Sequence, residues 1–188
     1  MTEANRPDPV RAQGPHVVTE GRPDDPTLIV LDPSGAGKHD EIPATWRPLS
    51  QRRRILWCRL PVEGALSEAD EVLGDASGGG AVIDVVASGP FADTALLMAE
   101  RHSDVLRSLL LVDPAAEGFL EADQAPEANR DWEEDTAQRR RRLEELGVVV
   151  RLIAQSTGGS YDRVAAPLPL GHPDVVAALG NALDEFRA

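Results

Sequence analysis

Residues 82–114 read VIDVVASGPFADTALLMAERHSDVLRSLLLVDP, and the reading of this stretch decides the fold. Ala81–Val86 is a near-continuous apolar, β-branched run, as a strand buried on both faces requires. Ala87-Ser88-Gly89-Pro90-Phe91 interrupts it with the small and turn-forming residues of a sharp bend. Across Asp93–Arg107 the apolar residues Ala95, Leu96, Met98, Ala99 and Val105 recur on one side, which is helical spacing. Leu109–Val112 is a second apolar run, closed by Asp113-Pro114. Strand, bend, helix and strand in so short a span make a βαβ unit, whose two strands lie parallel.

Working outward, the same alternation continues. Thr27–Leu31 (TLIVL) and Val148–Ile153 (VVVRLI) have the composition of buried parallel strands, and Arg54–Leu60 (RILWCRL) is a third, closed by Pro61. His16–Glu20 alternates weakly before a dense turn at Gly21–Pro26. Trp46–Ser50 and Leu66–Leu73 have helical character, with Ser67 a candidate cap. Asn129–Leu146 is a polar helix, with Asn129 as candidate cap, Asp135 spaced to pair with Arg139, and Gly147 placed to end it. Val164–Leu170 is expected to form the last strand and Val175–Phe186 a closing amphipathic helix. This order predicts an α/β domain with a mostly parallel sheet covered by helices on both faces. Residues 1–15, polar and rich in Pro and Asp, are expected to be a flexible tail, leaving 16–188 as one domain.

Composition narrows the function. A formal charge of −13 over 188 residues opposes binding to nucleic acid or to anionic membrane surfaces, because both need a basic face. No apolar run approaches membrane-spanning length, and the first residues carry no apolar signal core, so a cytoplasmic protein is expected. Lys38 is the only lysine against many arginines, a bias of GC-rich bacterial coding sequences. The single cysteine, Cys58, excludes an internal disulfide and is expected to pack in the core. His16, His39, His102 and His172 are scattered, so no metal site and no cofactor is expected.

Taken in order, four segments resemble the α/β-hydrolase superfamily. HVVTEGRPDDPTLIVLDPSGAG (16–37) is similar to its opening strand, turn and oxyanion loop, and PATWRPLSQRRRILWCRLP (43–61) to its Trp-containing helix and next strand. Residues 82–114 resemble the nucleophile elbow with its flanking strands, and Leu170-Gly171-His172-Pro173 resembles the catalytic-histidine loop. The resemblance implies an α/β-hydrolase-like fold with a lid reduced to 115–146.

The departures fall on the positions that carry chemistry. Active members have Gly-x-Ser-x-Gly at the elbow. Aligned on the following helix, the nucleophile's place here falls on Gly89, and Phe91 stands where a small residue is usual. The oxyanion loop has Asp32-Pro33 in place of His-Gly, a carboxylate where an oxyanion forms and a residue without an amide proton. The first expectation is therefore a catalytically degenerate, hydrolase-like protein that binds a ligand or a protein. Its pocket would be bordered by Asp32, Ser34, Gly35, Gly89, Pro90 and Phe91, and its partner would be a small molecule, another protein or a second copy of the chain. The alternative is a hydrolase for a small ester, lactone or thioester with Ser88 as re-registered nucleophile, His172 as base and Asp113 or Asp162 orienting the histidine. Each residue has a plainer reading: Ser88 as a turn residue, Asp113 as a strand end and Gly171-His172-Pro173 as a helix entry.

Two rival motifs are weaker. Asp32–His39 resembles a phosphate-binding loop but has Asp32 for its first glycine and His39 for the metal-holding hydroxyl. The Arg139–Arg142 run is spread around a helix and followed by Glu144 and Glu145, which suits a solvated face.

Overall fold

The computed structural model describes residues 14–34, 41–77, 82–116, 123–156 and 164–186. Strands β1 (Val17–Glu20), β2 (Thr27–Asp32), β3 (Arg54–Arg59), β4 (Ile83–Ser88), β5 (Leu106–Val112) and β6 (Val149–Ala154) form one sheet in the order β1-β3-β2-β4-β5-β6. Only β1 runs antiparallel to its neighbour, and every other pair is parallel. The helices are α1 (Arg47–Ser50), α2 (Ala65–Ala76), α3 (Ala92–Arg101), α4 (Ala125–Asp135), α5 (Ala137–Glu145) and α6 (Pro173–Glu185). The expected α/β architecture is thus the observed one.

The two-residue period of a strand divides the core between the faces. Ile29, Leu31, Val85, Ala87, Leu109 and Leu111 turn to one face, where α2, α3 and α5 cover them. Leu28, Val30, Val86, Leu110 and Val112 turn to the other, covered by Trp46 and Leu49 and by Val175, Leu179 and Leu183 of α6. Each fully buried aliphatic side chain contributes on the order of 2 kcal/mol, so the continuous apolar runs of β2, β4 and β5 fix the centre of the molecule.

Several sequence expectations are corrected. α3 stops at Arg101 rather than Arg107, and β5 begins at Leu106. Val105 fits the helical period, yet its carbonyl accepts from Ile83 N–H at 3.0 Å as the lead-in to the strand. The polar helix expected over 129–146 is two helices, broken at Thr136, whose hydroxyl donates back to Trp132 O at 2.7 Å. α4 begins at Ala125 with Pro126 in its first turn, so Asn129 is an interior, buried residue and not a cap. α2 begins at Ala65 after Gly64 (φ 90°), which leaves Ser67 inside the helix. Arg139 pairs with Glu100 of α3, at 2.8 Å, and not with Asp135, and that hydrogen bond raises its pKa above the ordinary value.

The strand expected over Val164–Leu170 is absent from the sheet. Pro167 and Pro169 have no amide proton to give to a ladder, and the segment lies instead across the ends of other strands, as described below.

Cys58 is buried in β3, and the cost of burying a thiolate pushes its pKa from the ordinary 9.0 to about 12. The native protein is expected to react with an aqueous disulfide reagent at pH 8 no faster than it unfolds, and denatured protein within seconds to minutes; rapid labelling of folded protein would contradict this. Because the folded state keeps its proton while the unfolded thiol loses it, stability from this group is intact below pH 9.0 and falls between pH 9.0 and about 12.

Candidate functional site

In a mostly parallel α/β sheet the chemistry gathers at the C-terminal ends of the strands. Here that end is assembled from β2, β4 and β5, the loop before α6 and the segment 164–170.

β2 ends on Asp32, which is fully buried. Its Oδ1 accepts from the Ser34 amide (2.9 Å) and hydroxyl (2.7 Å), and its Oδ2 accepts from Trp57 Nε1 (2.8 Å). The carboxylate therefore closes an Asx-type turn and pins an indole. Trp57 meets Trp46 edge-on at a centroid distance of 4.8 Å, and Trp46 Nε1 donates to Leu170 O at 2.8 Å. A relay of buried polar tips thus runs from β2 through the two tryptophans to the histidine loop. Gly35, Lys38 and His39 of the phosphate-loop-like stretch lie outside the described residues.

β4 ends on Ser88, in extended backbone (φ −130°, ψ 143°) and 1% exposed. Gly89 follows at φ 54°, the left-handed conformation a tight strand-to-helix bend demands, and Gly89–Phe91 make a single 3-10 turn into α3. The elbow geometry is present with glycine at its apex. A Cβ at Gly89 would stand 2.8 Å from Pro167 Cγ and 2.9 Å from Ala116 O. Pro90 is exposed and Phe91 half-buried.

β5 leads to Asp113, fully buried, in the left-handed region at φ 43°. Its Oδ1 accepts from Asn129 Nδ2 (3.0 Å) and Ser156 N (2.8 Å); its Oδ2 accepts from Leu168 N (2.8 Å) and the Ser156 hydroxyl (3.1 Å). Four donors fix this carboxylate in place. Asn129 also accepts from Ala115 N at 3.2 Å, which ties α4 to the same point. Leu168 links the two strand ends: its amide is held by Asp113, and its carbonyl accepts from Ser88 Oγ at 3.5 Å. The segment Ala166–Leu168 is therefore a strap over the elbow.

His172 is the N-cap of α6, its Nδ1 accepting from Asp174 N at 3.3 Å, with its side chain 29% exposed. Among the described residues no hydrogen bond joins His172 to Ser88 or to Asp113. The structure brings Ser88 and Asp113 together through Leu168 and leaves His172 outside that cluster. Asp162 lies outside the described residues. Nothing in the spacing of the sequence marks Asn129, Ser156 or Pro167 as neighbours of Asp113 and Gly89; they come from α4, the segment after β6 and the strap. Among the described residues no three His, Cys, Asp or Glu side chains are placed to hold a metal ion, and no helix is long and apolar enough to cross a membrane.

Strand order, elbow and helix placement define an α/β-hydrolase fold. Of the solved structures it is similar to, a Xanthomonas campestris α/β serine hydrolase without a lid shares 13% identity, with 90% of this chain and 88% of that one covered, at a TM-score of 0.50. A lipase-like protein of Acinetobacter baumannii (21% identity, 55% of this chain, TM-score 0.38) and the thioesterase domain of a curacin biosynthetic pathway (16%, 69%, TM-score 0.38) also match. The chain spans 38% and 56% of their lengths, respectively. No family model and no curated protein matches the sequence.

Proposed function

We propose that this α/β-hydrolase-fold protein acts by binding a ligand or a protein and does not hydrolyse esters through a serine. The observation that carries the reading is the apex of the elbow. Gly89 offers no nucleophilic atom, and the space a side chain would need there is taken by Pro167 and Ala116. The neighbouring hydroxyl does not compensate, since Ser88 is buried and engages Leu168 O. A serine nucleophile needs a base within hydrogen-bond reach, and the carboxylates at the neighbouring strand ends are otherwise engaged: Asp32 by Ser34 and Trp57, and Asp113 by the strap. Histidine 172 caps a helix.

Intact-mass measurement after treatment with a fluorophosphonate probe tests this directly. No adduct is expected under conditions that fully label an active serine hydrolase. A single adduct on Ser88 that vanishes in His172→Ala would overturn the proposal and establish a re-registered esterase.

Restoring a serine at the apex gives a second test. Gly89→Ser is expected to show no turnover of short p-nitrophenyl esters and to lose about 2–4 kcal/mol of stability, from left-handed strain plus overpacking against Pro167. Urea unfolding and an esterase assay on one preparation read both effects. Turnover by this variant would mean that the strap yields and that only the nucleophile is missing.

A further inference from the structure

The strap occupies the C-terminal end of the sheet, but the opposite end is open. A cavity of about 620 Å³ lies at the first residues of β2, β3, β4 and β5, between the Pro23–Thr27 loop and α2. That volume is within the range of small-molecule sites. Its lining includes the apolar Val72 and Ile83 and charges of both signs, from Arg54, Arg107, Asp24, Asp25 and Asp75.

Among the described residues these charges do not neutralise one another. No ion pair joins either arginine to any of the three aspartates. Arg107 is anchored by its Nε (3.0 Å) and Nη2 to Asp84 of β4, which leaves Nη1 without an acceptor. Arg54 has no hydrogen bond through its guanidinium. A metal ion does not account for the acids, because no three of them converge.

We infer that this cavity is a binding site for a small zwitterion with a short apolar group, that is, an amino-acid-like ligand. Its carboxylate meets Arg54 and the free edge of Arg107. Its ammonium meets Asp75, and its apolar part lies on Val72 and Ile83. Guanidinium–carboxylate pairing is the strongest of these contacts. The assignment goes beyond the non-hydrolytic reading and is independent of it, since the two sites are at opposite ends of the sheet.

Three probes separate the possibilities: L-leucine, isocaproate (the same skeleton without the amine) and isoamylamine (without the carboxylate). Calorimetric or NMR titration of the full chain is expected to give saturable binding of L-leucine, about tenfold or more tighter than either analogue. Arg54→Gln and Asp75→Asn, both at the protein surface, should each weaken leucine by about tenfold while circular dichroism stays unchanged. Equal binding of isocaproate or isoamylamine would reduce the site to a simple anion or cation site and overturn the inference. So would unchanged affinity in both variants, or no saturation by about 10 mM leucine, the weak end of specific small-ligand binding.

Discussion

Asp113→Ala is expected to lose on the order of 4 kcal/mol of stability, the cost of stranding several buried donors. Among the described residues the carboxylate is the single acceptor for Asn129 Nδ2, Ser156 N, Ser156 Oγ and Leu168 N, drawn from α4, the segment after β6 and the strap. Two of these are backbone amides that cannot turn elsewhere. Asp113→Asn separates charge from shape: each oxygen receives at least one N–H, so either orientation of the amide sets NH₂ against a donor. The asparagine variant is therefore expected to be nearly as unstable as the alanine variant, although Asn tolerates the left-handed backbone well. Urea unfolding gives the free energies, and hydrogen exchange at the Leu168 amide reports the strap. A loss below about 1 kcal/mol in both variants, an ordinary surface effect, would mean that the strap is held by packing alone.

Asp84→Ala is expected to cost a similar 3–5 kcal/mol, the range for removing one partner of a buried ion pair. Asp84 is fully buried in β4, where it accepts from Arg53 Nη1 (2.7 Å), from Arg107 Nε and Nη2, and from the Ser108 hydroxyl (2.7 Å). Arg53 is itself 3% exposed and also donates to Leu183 O. Without the carboxylate, a buried guanidinium has lost its counter-charge. The double replacement Asp84→Leu with Arg53→Met should recover much of the loss, since apolar groups of similar volume often replace a buried pair without penalty. Failure to recover any stability would show that the other groups held by Asp84, Arg107 and the Ser108 hydroxyl, carry the loss. Arg107 stacks on Phe186 (5.4 Å), so the single replacement should also loosen the end of α6.

The legible parts of this molecule are those that obey a period. β2, β4 and β5 are near-continuous apolar runs, and the βαβ unit at 82–114 emerges from them, although β4 runs on through Ala87 and Ser88, which the sequence assigns to the bend. The glycine at the apex was also legible, because an alignment on the following helix needs no coordinates. Period failed where one residue served two patterns, as with Val105, which fits a helix and leads a strand. It failed again at Asn129, where a polar residue in a polar stretch gives no hint of burial. Val164–Leu170 has strand-like apolar content, but two prolines remove the ladder donors, a cue present in the sequence and outweighed in the reading.

The candidate site divides in the same way. Side-chain chemistry is written in the chain: Gly89 has no nucleophilic atom, Asp32 ends β2 with a carboxylate, and the single cysteine forms no disulfide within these residues. By itself the sequence determined the layered α/β architecture and the glycine that follows β4 at position 89. Only the tertiary structure decided that Pro167 and Ala116 fill the space above Gly89, and that Asp113 holds a strap rather than facing His172. It alone placed the charges of Arg54, Arg107, Asp25 and Asp75 around one cavity. Periodicity is a local property carried by neighbours along the chain, whereas hydrogen-bond partners and filled space depend on residues about 15 to 80 positions apart that meet only when the sheet forms.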